Sequence, residues 1–207
     1  DNMYLYMGKL GLLAKTGIDL SGEAGTIIHK KENVGAVELA TMSFGQSFQI
    51  TPVQMLRAVA AIVNGGKLVT PHFGLYTSSS DGSVVNEFAY STEEEAISSQ
   101  TSEMMKQILE GVVSEGGGTK AYIEGYSIGG KTATSQKLPR GSGKYISSFI
   151  GFAPADNPQV IAMCLIDEPT GVYYGGTIAA PVVKTLYENI LPYLGIERSV
   201  QLEKNSD

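Results

Sequence analysis

Three consecutive segments near the end of the chain have strand-like patterns and are separated by short polar connections. They span residues 126–134, 145–152 and 159–167, and the third is almost wholly apolar. The first connection contains a proline and two glycines, and the second runs from Pro154 to Pro158. Parallel strands need a crossover of roughly a dozen or more residues. The short connections therefore predict an antiparallel meander of three strands.

Helical patterns surround this predicted sheet. Thr51-Pro52 is typical of a helix start, with a hydroxyl cap and proline at the first helical position, and Asn64-Gly-Gly66 is typical of a stop. A second helix is predicted to begin at Thr101 or Ser102, and a third spans residues 177–194. The residues predicted to face the core are, helix by helix, Met55, Leu56, Val59, Ile62 and Val63; Met105, Ile108, Leu109 and Val112; and Ile178, Val182, Val183, Leu186, Tyr187 and Ile190.

The remaining segments predict smaller elements. Residues 2–13 favour a short helix that stops at one of its glycines, and the glycine-punctuated residues 15–23 favour a loop. Strand patterns at 69–76 and 84–88 flank a polar stretch, which is typical of a surface hairpin. Helices beside an antiparallel meander predict an α+β layer arrangement.

The composition argues against several classes of protein. The 207 residues carry 15 Lys and Arg against 21 Asp and Glu, a formal net charge of -6, without a basic run. This balance argues against a nucleic-acid partner held by phosphate contacts. His29 and His72 share no ligand spacing, so we expect no metal site. Cys164 lies in an apolar strand pattern and is expected to be a buried, inert thiol.

The chain has the features of a piece of a longer protein. No apolar run reaches the length of a membrane span, and no signal peptide opens the sequence. The chain begins without methionine, inside a helical pattern. We therefore expect a longer parent protein, of which these residues are a fragment that is soluble by itself.

Residues 125–136 contain Gly-Lys-Thr and allow two incompatible interpretations. Residues 125–132 satisfy G-x-x-x-x-G-K-[ST], the phosphate-binding loop of nucleotide hydrolases. That loop works at the N-terminus of a helix, whose free N–H groups bind the phosphates. Only six residues follow Thr132 before a proline, so such a helix has little room. The context disfavours a nucleotide hydrolase, which is kept as a remote alternative.

The other interpretation places Lys131 and Thr132 on an edge strand that faces a cleft. A lysine ammonium beside hydroxyl groups can orient a substrate carboxylate and assist proton transfer. A backbone N–H of the same strand can stabilise the oxyanion of acyl transfer. This pattern therefore favours acyl-transfer chemistry.

Lys131-Thr-Ala-Thr134 is similar to the K-T-G-T strand motif of penicillin-binding proteins and serine β-lactamases. With four further segments in the family's order, the chain resembles the C-terminal part of the transpeptidase domain of class B, high-molecular-weight penicillin-binding proteins. The resemblance is to the cell-division and sporulation type of Gram-positive bacteria. The five segments are Lys15-Thr-Gly-Ile-Asp-Leu-Ser-Gly-Glu23, Ala40-Thr-Met-Ser-Phe-Gly-Gln46 with Thr51-Pro-Val-Gln54, Gly130-Lys-Thr-Ala-Thr-Ser-Gln136, Phe149-Ile-Gly-Phe-Ala-Pro154 and Tyr174-Gly-Gly-Thr-Ile-Ala-Ala-Pro181.

The resemblance implies the α+β fold of penicillin-binding proteins and serine β-lactamases, present as its C-terminal portion over residues 1–195 and followed by a polar tail, 196–207. It implies peptidoglycan DD-transpeptidase activity through a serine acyl-enzyme, without a metal, nucleotide or other cofactor, and with the stem peptide and β-lactam antibiotics as partners. The parent would be anchored in the bacterial cytoplasmic membrane with this domain outside. There it would join a glycosyltransferase in a cell-wall synthesis complex.

Acylation in this family needs a serine in S-x-x-K and a second motif, S-x-N. Neither can be assigned, because Ser43-Phe-Gly-Gln46 lacks the lysine and Ser83-Val-Val-Asn86 has the wrong spacing. The resemblance implies that both motifs lie upstream of Asp1. The chain alone would then hold half of an active site and be inactive.

The resemblance also assigns roles along the lysine strand. Lys131 and Thr132 match the residues that recognise the carboxylate of the substrate or of penicillin, and the backbone N–H of Thr134 completes the oxyanion hole. Ala133 stands where the family has glycine, and its methyl group is expected to narrow the groove. This departure keeps open an alternative function as a non-catalytic β-lactam-binding or sensor module. The predicted site comprises Lys131, Thr132 and Thr134 as catalytic residues, and Gly130, Ala133, Ser135 and Gln136 as substrate-binding residues, Gln136 on the acceptor side.

Overall fold

A computed structural model describes residues 2–93, 95–139 and 141–199. The chain divides into two compact units, and the boundary between them lies between Ser102 and Glu103. Helices α1 to α6 span Asn2–Lys9, Ala36–Ser43, Pro52–Val63, Ser99–Ser114, Gly175–Ile178 and Ala180–Tyr193. Strands β1 to β9 span Ile27–Ile28, Phe48–Gln49, Leu68–Val69, Tyr76–Ser78, Val84–Glu87, Thr92–Glu93, Gly129–Gln136, Tyr145–Ala153 and Val160–Asp167. None of the described helices is long and apolar enough to cross a lipid bilayer.

The first unit contains three short antiparallel strand pairs, β1–β2, β3–β6 and β4–β5. The predicted surface hairpin is present as β4 and β5, whose residues are all exposed. The predicted first strand, 69–76, overlaps β4 only at Tyr76, and its first residue, Val69, pairs with β6 instead. Leu68 is buried with Ala61 and Ala96 in a small apolar cluster.

Helix α3 begins where the sequence predicts, at a Thr51 cap followed by proline. The Thr51 hydroxyl accepts a hydrogen bond from the Gln54 N–H at 3.2 Å, and the Gln54 side chain accepts one from the Thr51 N–H at 2.8 Å. The buried Gln54 amide also donates to the Ala14 carbonyl at 2.7 Å and to the Thr26 hydroxyl at 2.8 Å. One side chain thus caps the helix and fixes two loop segments to it.

The second unit contains the predicted antiparallel meander, in the order β7–β8–β9. Lys131 pairs with Ile150 on β8, and Ile150 pairs with Met163 on β9, so β7 is one edge of the described sheet. Strand β7 begins at Gly129 and not at the predicted residue 126. Tyr126 forms a short bridge back to Ile123 across a tight turn, which delays the strand.

Helix α6 packs against β8 and builds the core of this unit. Phe149 of β8 and Tyr187 of α6 are both fully buried. The Tyr187 hydroxyl donates to the Gly151 carbonyl at 2.5 Å, and burial raises the pKa of this tyrosine. Cys164 of β9 is half-buried rather than buried, and partial burial raises the pKa of its thiol.

The predicted buried faces of the helices are partly wrong. In α3 only Val63 of the predicted stripe is buried. Helix α4 begins at Ser99, because the Ser98 hydroxyl accepts from the Thr101 N–H at 3.1 Å, and its Ile108 is 59% exposed. The predicted C-terminal helix is divided into α5 and α6, and its Val182 is 51% exposed. Three of the predicted core residues are buried, namely Val63, Val183 and Tyr187. The buried residues of these helices are Gln54, Arg57, Ala58, Ala61 and Val63 in α3; Ser102, Lys106 and Val113 in α4; and Ala180, Val183, Tyr187 and Leu191 in α6.

Candidate functional site

An open cleft of about 320 Å³ lies against the middle of β7, within the second unit. One wall is β7 itself, the second is the turn after α4, and the third is the start of α5. The residues that line it are Gly117, Thr119, Lys120, Thr132, Ala133, Thr134, Tyr174, Gly175, Gly176 and Thr177.

The segment leading into α5 lies directly on the sheet. The Gly175 N–H donates to the Thr134 hydroxyl at 3.1 Å, and the buried Ser147 hydroxyl donates to the Tyr173 carbonyl. A Cβ on Gly175 would lie 2.3 Å from the carbonyl oxygens of both Ala133 and Ser148. Glycine is therefore required for this segment to reach β7.

The turn after α4 approaches α5 equally closely. A Cβ on Gly176 would lie 2.5 Å from the Gly117 carbonyl oxygen, and one on Gly118 would lie 3.0 Å from the Val112 carbonyl oxygen. The turn continues as a single 3-10 turn, Thr119–Ala121, whose last residue is fully buried. Glycines on both sides thus bring two backbone segments together at the cleft.

Side chains on β7 alternate between its two faces, so Thr132 and Thr134 share one face and Lys131 lies on the other. Thr132 and Thr134 line the cleft, whereas Lys131 does not. The Lys131 ammonium is exposed and donates to the neighbouring Thr132 carbonyl at 2.8 Å. The lysine and the hydroxyls of the predicted site therefore face different sides of one strand.

Three tyrosines form an aromatic row beside the cleft. Tyr145 and Tyr173 are stacked with ring centroids 4.0 Å apart, and Tyr174 is tilted against Tyr173 at 4.7 Å. Tyr174 is 58% exposed, and its side-chain hydrogen bond with Tyr173 raises its pKa. The row packs the segment that leads into α5 against β8, and the Tyr174 ring lines the cleft.

Charged residues cluster at the far end of the sheet. The Lys137 ammonium lies 2.7 Å from a Glu168 carboxylate oxygen and 2.9 Å from one of Asp167, and Lys144 lies 2.9 Å from Glu168. The hydrogen bonds from Lys137 and Lys144 lower the pKa of Glu168 from its ordinary 4.5 to about 2. Lys137 in turn has a raised pKa, chiefly through Glu168. This cluster connects the β7–β8 connection to the end of β9.

The structure brings together part of the predicted site. Thr132, Ala133 and Thr134 line the cleft, and the other members lie on the same strand outside the lining, namely Gly130, Lys131, Ser135 and Gln136. A phosphate-binding loop is excluded, because the chain continues as strand beyond Thr132 where such a loop needs a helix. The turn that contributes Gly117, Thr119 and Lys120 was not predicted to belong to the site, although its glycine run was a signal. The Tyr174–Thr177 segment was predicted only as part of the family resemblance, without a role in the site.

Residues 1–188 match the penicillin binding protein transpeptidase domain. The chain therefore belongs to this family, in agreement with its α+β fold and its lysine–threonine edge strand. Over 99% of its length it is 41% identical to "Stage V sporulation protein D" of Bacillus subtilis, of which it covers 32%. It is 33% identical to "Peptidoglycan D,D-transpeptidase FtsI" of Escherichia coli, with 91% of the chain and 31% of that protein covered.

A solved structure supports the same assignment. The crystal structure of penicillin binding protein 3 from Mycobacterium tuberculosis, complexed with ampicillin, matches with a TM-score of 0.85 at 28% identity. The match covers 97% of this chain and 47% of that protein. The chain thus spans between about a third and a half of the relatives that it matches.

Proposed function

We propose that the chain supplies the lysine–threonine strand of the acyl-transfer site of a peptidoglycan DD-transpeptidase. The observation that carries this proposal is the edge strand β7, which presents Lys131 on one face and two threonine hydroxyls on the other, beside an open cleft. An edge strand also leaves backbone N–H and C=O groups unpaired, and these can bind an extended peptide. The proposed ligands are the peptidoglycan stem peptide and β-lactam antibiotics.

Each group on β7 has a chemical task in this proposal. The Lys131 ammonium orients the substrate and assists proton transfer, and the Thr132 hydroxyl donates to the substrate carboxylate. The backbone N–H of Thr134 stabilises the oxyanion that forms when a serine oxygen attacks the scissile carbonyl. Gly130, Ser135 and Gln136 line the peptide path along the strand, with Gln136 on the acceptor side.

The nucleophile in this proposal comes from a part of the parent protein outside the 207 residues. No serine in the chain is followed by lysine three positions later, and the relatives are two to three times longer than the matched region. The chain alone is then inactive, residues 1–195 forming the domain portion and 196–207 a polar tail. We place the parent in the bacterial cytoplasmic membrane with this domain outside, in a complex with a glycosyltransferase.

The rate of acylation by benzylpenicillin, measured on the longer parent protein, tests this function. Replacing Lys131 with alanine is expected to lower the second-order acylation rate by about a hundredfold or more, since it removes a group that assists proton transfer. The matched control is Lys184→Ala, which removes a lysine from α6 and is expected to leave the rate unchanged. An unchanged rate in Lys131→Ala would refute the proposed role of β7.

A non-catalytic β-lactam-binding or sensor module is the second candidate, and Ala133 is the observation that favours it. Ala133 is exposed, lines the cleft and replaces the glycine of the family's motif. Release of D-alanine from a stem-peptide substrate distinguishes the two functions. A transpeptidase releases D-alanine, whereas a sensor forms a penicillin adduct without turning over the peptide.

A further inference from the structure

Lys120 is the one charged residue among the described residues that line the cleft. It lies in the middle of the 3-10 turn Thr119–Ala121 and is exposed. Within the described part of the chain its ammonium makes no hydrogen bond or ion pair, whereas the Lys131 ammonium donates to the Thr132 carbonyl. The Lys120 ammonium at the cleft wall is therefore free, within the described residues, to pair with a ligand.

The backbone of Lys120 is held firmly although its side chain is exposed. The Ala121 N–H donates to the Gly118 carbonyl at 2.8 Å, and the Gly118 N–H donates to the Val112 carbonyl at 2.9 Å. Ala121 is fully buried in the core of the second unit. The turn thus fixes the position of the Lys120 Cα, and the flexible side chain allows the ammonium group to reach into the cleft.

The hydroxyl groups opposite Lys120 are available as donors. The Thr132 hydroxyl makes no hydrogen bond to another described residue. The Thr134 hydroxyl accepts from the Gly175 N–H, which leaves its own O–H free to donate. No Asp or Glu is among the described lining residues. Two hydroxyl donors and one ammonium, without a competing carboxylate, form an environment suited to an anion such as a carboxylate.

We propose that Lys120 is a specificity-determining residue that pairs with the C-terminal carboxylate of the donor peptide, while Thr132 and Thr134 donate hydrogen bonds to it. This inference rests on the proposed transpeptidase function and names the part of the substrate that this cleft holds. In this proposal the two lysines, Lys131 and Lys120, have separate roles. Lys131 serves the reacting centre from one face of β7, and Lys120 selects the free carboxylate from the other.

The test is a titration of the ¹⁵N-labelled 207-residue chain with two probes, acetyl-D-alanyl-D-alanine and its C-terminal amide. Backbone signals of Gly117, Thr132 and Gly176 report on the cleft. The free acid is expected to bind more tightly than the amide, and the preference is expected to weaken with added salt, because exposed charge pairs are screened. Lys120→Ala is expected to lower the affinity for the free acid by on the order of fivefold and to abolish the salt dependence.

Two further variants make the test specific. Lys120→Arg keeps the charge and should preserve the preference for the free acid, and Lys67→Ala removes a lysine in the first unit and should change nothing. Equal affinity of Lys120→Ala and the original chain for the free acid would overturn the role of Lys120. Probes that leave the cleft signals unmoved would overturn the carboxylate site itself. Acylation of the parent protein by penicillin is a separate measurement, so a failure of the role of Lys120 can be distinguished from a failure of the proposed transpeptidase function.

Discussion

Gly175 lies where the segment after β9 meets β7, and a side chain has no space there. A Cβ at this position would overlap two carbonyl oxygens at 2.3 Å, both of them backbone atoms of the sheet. Gly175→Ala should therefore force the segment away from β7 and destabilise the chain by about 1 to 3 kcal/mol, the range expected for overpacking. The thermal unfolding midpoint measures this loss.

The matched control is Gly111→Ala near the C-terminal end of α4. A Cβ at Gly111 meets nothing within 4 Å, so alanine should stabilise the helix by roughly 0.5 to 1 kcal/mol. The two glycine-to-alanine changes should thus move the unfolding midpoint in opposite directions. A loss of stability in both, or in neither, would contradict the packing described for Gly175.

Gln54 gives a second prediction for a single residue. Its side chain is fully buried and makes hydrogen bonds to Thr51, Ala14 and Thr26. Gln54→Leu should leave those partners unsatisfied and destabilise the chain by about 2 to 4 kcal/mol, since each buried unpaired polar group costs about 1 to 3 kcal/mol. Urea unfolding measures the change, and Gln100→Leu, at an exposed position in α4, is the control. A Gln54→Leu chain as stable as the original would refute this account.

The starts of the helices and the order of the strands could be predicted from the sequence better than the buried faces of the helices. The start of α3 and the three-strand meander were predicted correctly, because caps and short connections act locally. The buried faces were predicted poorly, since an apolar stripe does not reveal that Gln54 and Lys106 are buried through specific hydrogen bonds. Lys120 was missed for a related reason. A turn residue has no periodicity, and its place at the cleft depends on the fold that surrounds it.

The charged cluster of Lys137, Lys144, Asp167 and Glu168 at the end of the sheet predicts that the stability of the fold depends on pH. The pKa of Glu168 is about 2 in the folded chain and near 4.5 when unperturbed. Because the folded pKa is the lower one, the cluster stabilises the fold above about pH 4.5 and loses this effect as the pH falls towards 2. The difference in thermal midpoint between the original chain and Glu168→Gln should therefore be present at pH 7 and shrink below pH 4.5. A difference that is constant between pH 7 and pH 2.5 would contradict the ion pairs.

At the scale of the whole molecule, the family and the general fold could be predicted from five short segments. The family match covers residues 1–188 and so includes all five. The division into two compact units was not predicted, because no linker or change of composition marks Ser102–Glu103. The predicted tail at 196–207 stays a prediction, and its last residues, 200–207, lie outside the described residues.

The intact mass after incubation with benzylpenicillin tests the central claim most directly, on the 207-residue chain and on the longer parent protein side by side. The proposed division of the active site predicts a penicillin adduct on the parent and none on the 207-residue chain. An adduct on the shorter chain would show that the nucleophile lies within it and would contradict the proposed location. The absence of an adduct on both would contradict the transpeptidase function and the sensor alternative together.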